Sequence, residues 1–178
     1  MGFRADALVS SRKFRSEPAA GEVRSLRLLL KVARPGDLSK VVAIEQRSFS
    51  HPWSLETFRA ETKQAHSRLL LGWTDDDRTP EVVGYVCRWI VERELQILNV
   101  AVHPGWRRRG IGRWIIEEVM AAARREGATR ATLEVRRHNL PAIVLYESLG
   151  FHRVGVRTNY YGPGEDAVLM DKSLNDGS

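Results

Sequence analysis

Hydrophobic residues along this chain switch between two spacings, and the switches mark out its elements. Leu26, Leu28 and Leu30 alternate with polar neighbours, which predicts a strand. Pro35-Gly36-Asp37 turns the chain, and Asp37 stands where it would cap a helix carrying Val41, Val42, Ile44, Glu45 and Phe49. His51-Pro52-Trp53 breaks that helix, and Ser54 caps another expected to run to about Ala65. Strands are predicted at 67–74, 82–91 and 94–102, with Asp75–Pro80 as a polar turn. A longer helix follows, with Ile115, Ile116, Val119, Met120 and Ala123 at helical spacing and Gly127 as its C-cap. Then come a strand at 129–137, a helix at 140–149, and strands near 151–160 and 166–173. This order predicts one α/β domain, residues 25–174, built on a mixed sheet. Residues 1–24 are polar and basic, lack the apolar run of a secretory signal, and are expected to form a disordered tail.

Composition narrows the partners. A net charge of +6 favours an anionic one. No apolar run reaches the roughly 18 residues that cross a bilayer. A single cysteine, Cys87, allows no internal disulfide and points to a reducing compartment, the cytoplasm. Cys87 lies in a predicted strand, so a packed thiol is expected. His51, His103 and His138 have no metal-ligand spacing with Cys or carboxylates, and no metal is expected.

The densest chemistry is Arg107-Arg108-Arg109-Gly110-Ile111-Gly112, continued by Arg113, at the start of the longest helix. A helix N-terminus carries partial positive charge and unpaired N–H groups, so further cations there call for a bound anion. Gly112 is not followed by Lys-Ser/Thr, and Ile115 stands where a dinucleotide-binding loop needs glycine, so neither of those loops fits. A solvated basic turn fits the same residues, as does an RNA patch with Trp106 and Trp114 as stacking surfaces.

The longer string Leu98-Asn99-Val100-Ala101-Val102-His103-Pro104-Gly105-Trp106, running into that loop, resembles the acetyl-CoA motif of the GNAT N-acetyltransferase superfamily. The string Asn139-Leu140-Pro141-Ala142-Ile143-Val144-Leu145-Tyr146-Glu147-Ser148-Leu149-Gly150-Phe151 resembles the second block of that family. Ile44 to Ser54, Leu133-Glu134-Val135-Arg136 and Asn159-Tyr160-Tyr161 are similar to the RimI-like ribosomal-protein-alanine N-acetyltransferases. The likeness spans about residues 26–172.

The resemblance implies the GNAT fold, a mixed and mostly antiparallel sheet flanked by helices. It implies acetyl-CoA as cosubstrate and a protein N-terminus as acceptor, for the RimI-like group an alanine of a small-subunit ribosomal protein, with no need of nucleic acid or membrane. Val100, Ala101 and Val102 would pair with the pantetheine arm, and an N–H among them would serve the oxyanion. Arg107 to Arg113 would cradle the pyrophosphate, with Asn139 capping its helix and touching the cofactor.

Glu134 shares the polar face of its strand with Thr132 and Arg136, and the resemblance makes it the general base, acting directly or through a water. His138 is a lesser rival for that role. Tyr146 is implied as the acid for the departing thiolate, and Trp53, Tyr160 and Tyr161 as walls of the peptide groove. Other acceptors (broader N-termini, lysines, small amines) stay open, as does a catalytically silent protein binding RNA or a ribosomal partner.

Overall fold

The computed structural model describes residues 8–16, 24–75 and 79–175. Among these are eight strands: β1 Leu8–Ser16, β2 Arg24–Val32, β3 Ser67–Thr74, β4 Val82–Val91, β5 Glu94–Val102, β6 Arg130–Arg136, β7 His152–Arg157 and β8 Ala167–Ser173. The four α-helices are α1 Leu38–Gln46, α2 Leu55–Glu61, α3 Ile111–Arg125 and α4 Leu140–Ser148. The hydrogen-bonded order of the strands is β1-β2-β3-β4-β5-β6-β8-β7. β5 and β6 run parallel, whereas β1–β2, β2–β3, β6–β8 and β7–β8 are antiparallel. The sheet is thus the mixed one expected.

Two compact units divide the chain. One comprises the described residues up to Cys87 together with Val100–Glu118; the other comprises Arg88–Asn99 and the described residues from Val119 onward.

In the first unit, the alternation of β2 buries Leu28 and Leu30 completely. Phe58, Leu71, Val83 and Tyr85 are equally enclosed, and α1 contributes Val41 and Ile44. Cys87 is the packed thiol anticipated, with its sulfur 3.8 Å from Ser67 Oγ. The helix capped by Ser54 ends at Glu61, short of Ala65. Residues 76–78 of the expected polar turn lie outside the described residues.

Residues 8–16 depart from the expected tail, because they form β1 on the outer edge of β2. Main-chain pairing with β2 is reinforced by two side chains. The Phe14 ring stands edge-on to Trp114 with centroids 5.6 Å apart, and Arg12 donates to Glu117 at 2.8 Å. These partners lie about a hundred positions away in sequence, beyond the reach of local patterning. The rest of the expected tail, residues 1–7 and 17–23, is outside the described residues.

Gly84 marks a close approach in this unit. A Cβ there would fall 2.8 Å from the Ala101 carbonyl oxygen and 3.1 Å from Ile115 Cδ1. The oxygen belongs to backbone and cannot swing aside. Gly84→Ala is therefore expected to destabilise the protein by about 1–3 kcal/mol, outweighing the roughly 0.5–1 kcal/mol that alanine recovers over glycine in chain entropy. Urea denaturation would read this as a lower midpoint at unchanged slope.

In the second unit, β6 buries Ala131, Leu133 and Val135, while Thr132, Glu134 and Arg136 alternate onto a half-buried face. The parallel ladder runs from Glu94↔Arg130 to Ile97↔Leu133 and stops there, although β5 continues through Leu98 and Asn99 and β6 through Glu134 to Arg136. Glu134 is thus the first residue of β6 beyond that ladder. On its other side it pairs with Leu169 of β8.

Candidate active site

The arginine-glycine loop belongs to the first unit. His103 caps a short 3-10 turn, Pro104–Trp106, and its Nδ1 accepts from the Gly105 N–H at 3.2 Å. Arg108 then takes a left-handed φ of +63°, and Gly110 follows at +78°. α3 begins directly, with the Trp114 N–H bonded to the Gly110 carbonyl. Helical geometry gives the N–H groups of Ile111 and Gly112 no intrahelical acceptor, so the turn offers donors together with cationic side chains. The donor set fits a diphosphate.

The arginines are not equivalent. Arg107, expected on the phosphate, donates from Nε to the Val102 carbonyl at 3.0 Å and from its terminal nitrogen to Ser48 Oγ at 3.0 Å. It ties the loop to the end of β5. Arg109 lies over the Trp106 ring at 4.9 Å, and Arg113 faces Glu117 at 3.8 Å along α3. Trp114, anticipated as a stacking surface in the RNA reading, is fully buried. Trp106 donates its indole N–H to Glu81 at 3.2 Å while Arg109 covers its ring. With Trp114 buried, the pair does not offer the two stacking surfaces of that reading.

Trp53 also belongs to this unit, and a buried carboxylate positions it. Glu45, on α1 and only 1% exposed, accepts from the Trp53 N–H at 2.8 Å and from the Tyr85 hydroxyl. The Trp53 ring packs at a tilt on Phe58, with centroids 5.4 Å apart. Glu45 had no functional reading in the sequence. Its one cue was a carboxylate on the apolar face of α1.

The second unit gathers Glu134, Tyr146, Tyr160 and Tyr161. Glu134 Oε1 accepts from Arg157 of β7 at 2.7 Å, and the Tyr160 hydroxyl also bonds this carboxylate. That bond is the main reason the Tyr160 phenol is held above its ordinary pKa, with lesser contributions from burial and from the charge of Glu134. Tyr160 and Tyr161 meet edge to face at 4.9 Å, and Arg136 lies over the Tyr161 ring at 4.3 Å while pairing with Glu165. Burial, followed by the charge of Glu134, pushes the Tyr161 phenol up to about 12.

The loop carrying these tyrosines is locked by its own backbone. Asn159 adopts φ +55°, its N–H donates to Asp166 at 3.0 Å, and its side chain accepts from the Gly164 N–H at 2.6 Å. The Asn159 N–H also holds the Asp166 carboxyl below the usual carboxylate range.

Tyr146 projects from α4, only 6% exposed, edge-on to Phe151 at 5.9 Å. Burial drives its phenol pKa far above the ordinary value, with a smaller push from Tyr161. It stays protonated throughout the working pH range. Asn139 caps α4 as anticipated, its side chain accepting from the Ala142 N–H at 3.3 Å. Among the described residues no cluster of His, Cys, Asp and Glu could hold a metal, and no helix is long and apolar enough to cross a membrane.

Residues 38–151 match the family model of the acetyltransferase (GNAT) family. The chain belongs to that family. It is 38% identical over 137 residues to the [ribosomal protein bS18]-alanine N-acetyltransferase of Salmonella typhimurium, a match covering 75% of this chain and 89% of the relative. It is 30% identical over 158 residues to the N-alpha-acetyltransferase of Saccharolobus solfataricus, covering 82% of this chain and 92% of that protein. The crystal structure of the ribosomal-protein-S18-alanine N-acetyltransferase from Escherichia coli superimposes with a TM-score of 0.74 at 29% identity, over 85% of this chain and 96% of that one. Within this GNAT chain, Arg157 and Glu45 are the contributors that sequence reasoning missed.

Proposed function

We propose that this GNAT protein transfers the acetyl group of acetyl-CoA to the N-terminal α-amino group of a protein, an alanine of a small-subunit ribosomal protein being the favoured acceptor. The reading rests chiefly on Glu134, a half-buried carboxylate ringed by Tyr160, Tyr161 and Arg157, in a chain whose relatives include ribosomal-protein-alanine and N-alpha acetyltransferases. The reaction belongs to the cytoplasm.

Acetyl-CoA supplies an activated thioester carbonyl; the residues of this chain bind it and manage protons. Arg108, Arg109 and the N–H groups opening α3 hold the diphosphate, Arg113 adds charge, and Arg107 fixes the loop against the end of β5. Asn139 sets the start of α4. An N–H of Val100 to Val102 takes the developing oxyanion.

An α-amino group has a pKa near ~8 and is mostly protonated at neutral pH. Glu134 removes one proton, directly or through a water, and the freed amine attacks the carbonyl carbon. The C–N bond forms and the C–S bond breaks. Tyr146 donates to the leaving sulfur and is reprotonated by the second proton the nitrogen gives up. The net products are an amide, a thiol and one proton released to water. Trp53, Tyr160 and Tyr161 grip the acceptor.

Thiol release with peptides of different first residues tests this reading, combined with mass spectrometry of acetylated N-termini in cells with and without the protein. Alanine-initiated peptides are expected to turn over fastest. Absence of acetylation on every peptide N-terminus would overturn it. The likeness to an N-alpha-acetyltransferase favours broader N-termini as the second reading, and the same peptide series separates the two.

A further inference from the structure

The carboxylate of Glu134 already holds a cation. Arg157 approaches it at 2.7 Å with its own side chain 54% exposed, and that guanidinium also sits over the Tyr160 ring at 5.5 Å. Tyr160 hydrogen-bonds it, Tyr161 packs against Tyr160, and Arg136 is committed to Glu165 and the Tyr161 ring. Leu169, the register partner of Glu134 on β8, is apolar. Arg157 is thus a cation paired directly with Glu134.

We propose that Arg157 is a displaceable counter-ion standing in the subsite of the acceptor's α-ammonium group, so that an acceptor binds by exchanging its own charge for the guanidinium on Glu134. This rests on the functional reading above, since it concerns an amine acceptor. An ion pair this exposed is weakly held, so exchange is easy. The Tyr160 face gives the displaced guanidinium a cation–π contact that does not depend on Glu134.

Two cations compete for one carboxylate, so Arg157 sets the cost of seating a charged acceptor on Glu134. A neutral end has no charge to exchange and leaves the pair in place. The same exchange assists release. The proton Glu134 takes from the ammonium passes to water at this half-exposed edge, the product amide carries no charge, and Arg157 pairs again with the carboxylate. Arg157 is a positioning and specificity residue and touches no reacting atom in this scheme.

Calorimetric titration of the full chain, with CoA bound to prevent turnover, tests the exchange. The probes are an alanine-initiated hexapeptide and the same peptide with propionyl in place of alanyl, which removes only the ammonium group. Arg157→Gln is expected to tighten the amine peptide about 1.5- to fivefold, the range of one exposed ion pair, and to leave the propionyl peptide unchanged. Arg157→Lys keeps a competing cation and should bind both probes as the wild type does.

An equal change in both peptides on Arg157→Gln, or no change in either, overturns the proposal. An amine peptide that tightens selectively on Arg157→Gln yet is not acetylated by the wild type with acetyl-CoA defeats the functional reading instead.

Discussion

Glu134→Gln is expected to lower kcat with an alanine-initiated peptide by about 10²–10⁴-fold near neutral pH, the usual contribution of a positioned general base. Gln keeps the size of Glu and can still accept from Tyr160 and Arg157, so the half-buried cluster should hold its shape. Only the ability to take a proton is lost. The decisive readout is therefore the pH dependence of the deficit. Most of the acceptor is ammonium at pH 7, but above its pKa of ~8 solvent supplies free amine without help from the protein. The ratio of wild-type to variant rates should fall steadily between about pH 7 and 9.5. A deficit that is flat with pH would mean that Glu134 shapes the groove rather than moving a proton. A deficit present only in KM would point the same way.

The sequence made the elements of this site easier to read than their commitments. α3 was legible because its buried residues recur at helical spacing and its two ends carry glycines, and both Gly110 and Gly127 do adopt positive φ. β6 was legible because strict alternation separates Ala131, Leu133 and Val135 from the face of Glu134. What escaped depends on partners distant in sequence. β1 is held by β2, Trp114 and Glu117, and its own run of Arg12, Lys13 and Phe14 carries no strand period. Arg157 gains its meaning from Glu134, on a strand that is not even its neighbour in the sheet order.

Arg107 reads as one of three like charges, yet the folded loop assigns it to Val102 and Ser48, while Arg109 lies over the Trp106 ring. Charge can be counted from sequence; which charges are already spent cannot.

Tyr146→Phe is expected to cost about 10²-fold or more in kcat, again the scale of one proton transfer, while binding of acetyl-CoA changes little. The phenol fits an acid because its surroundings keep it neutral. Burial opposes the phenolate and the neighbouring Tyr161 opposes it further, so the folded pKa lies far above the ordinary value near ~10. A raised pKa means the proton is retained as pH rises, so no loss of rate between pH 7 and 10 should trace to ionisation of Tyr146 itself. Phe fills the same volume against Phe151 and leaves the helix face intact, so unfolding midpoints of variant and wild type should nearly coincide. Leaving-group dependence makes the test specific. An acid matters most when the departing thiolate is basic, so the penalty of Tyr146→Phe should be large with acetyl-CoA and shrink with an acetyl thioester of a more acidic thiol carried on the same nucleotide. An equal penalty for both donors would assign Tyr146 to packing around α4, and the proton on sulfur would then have to come from solvent.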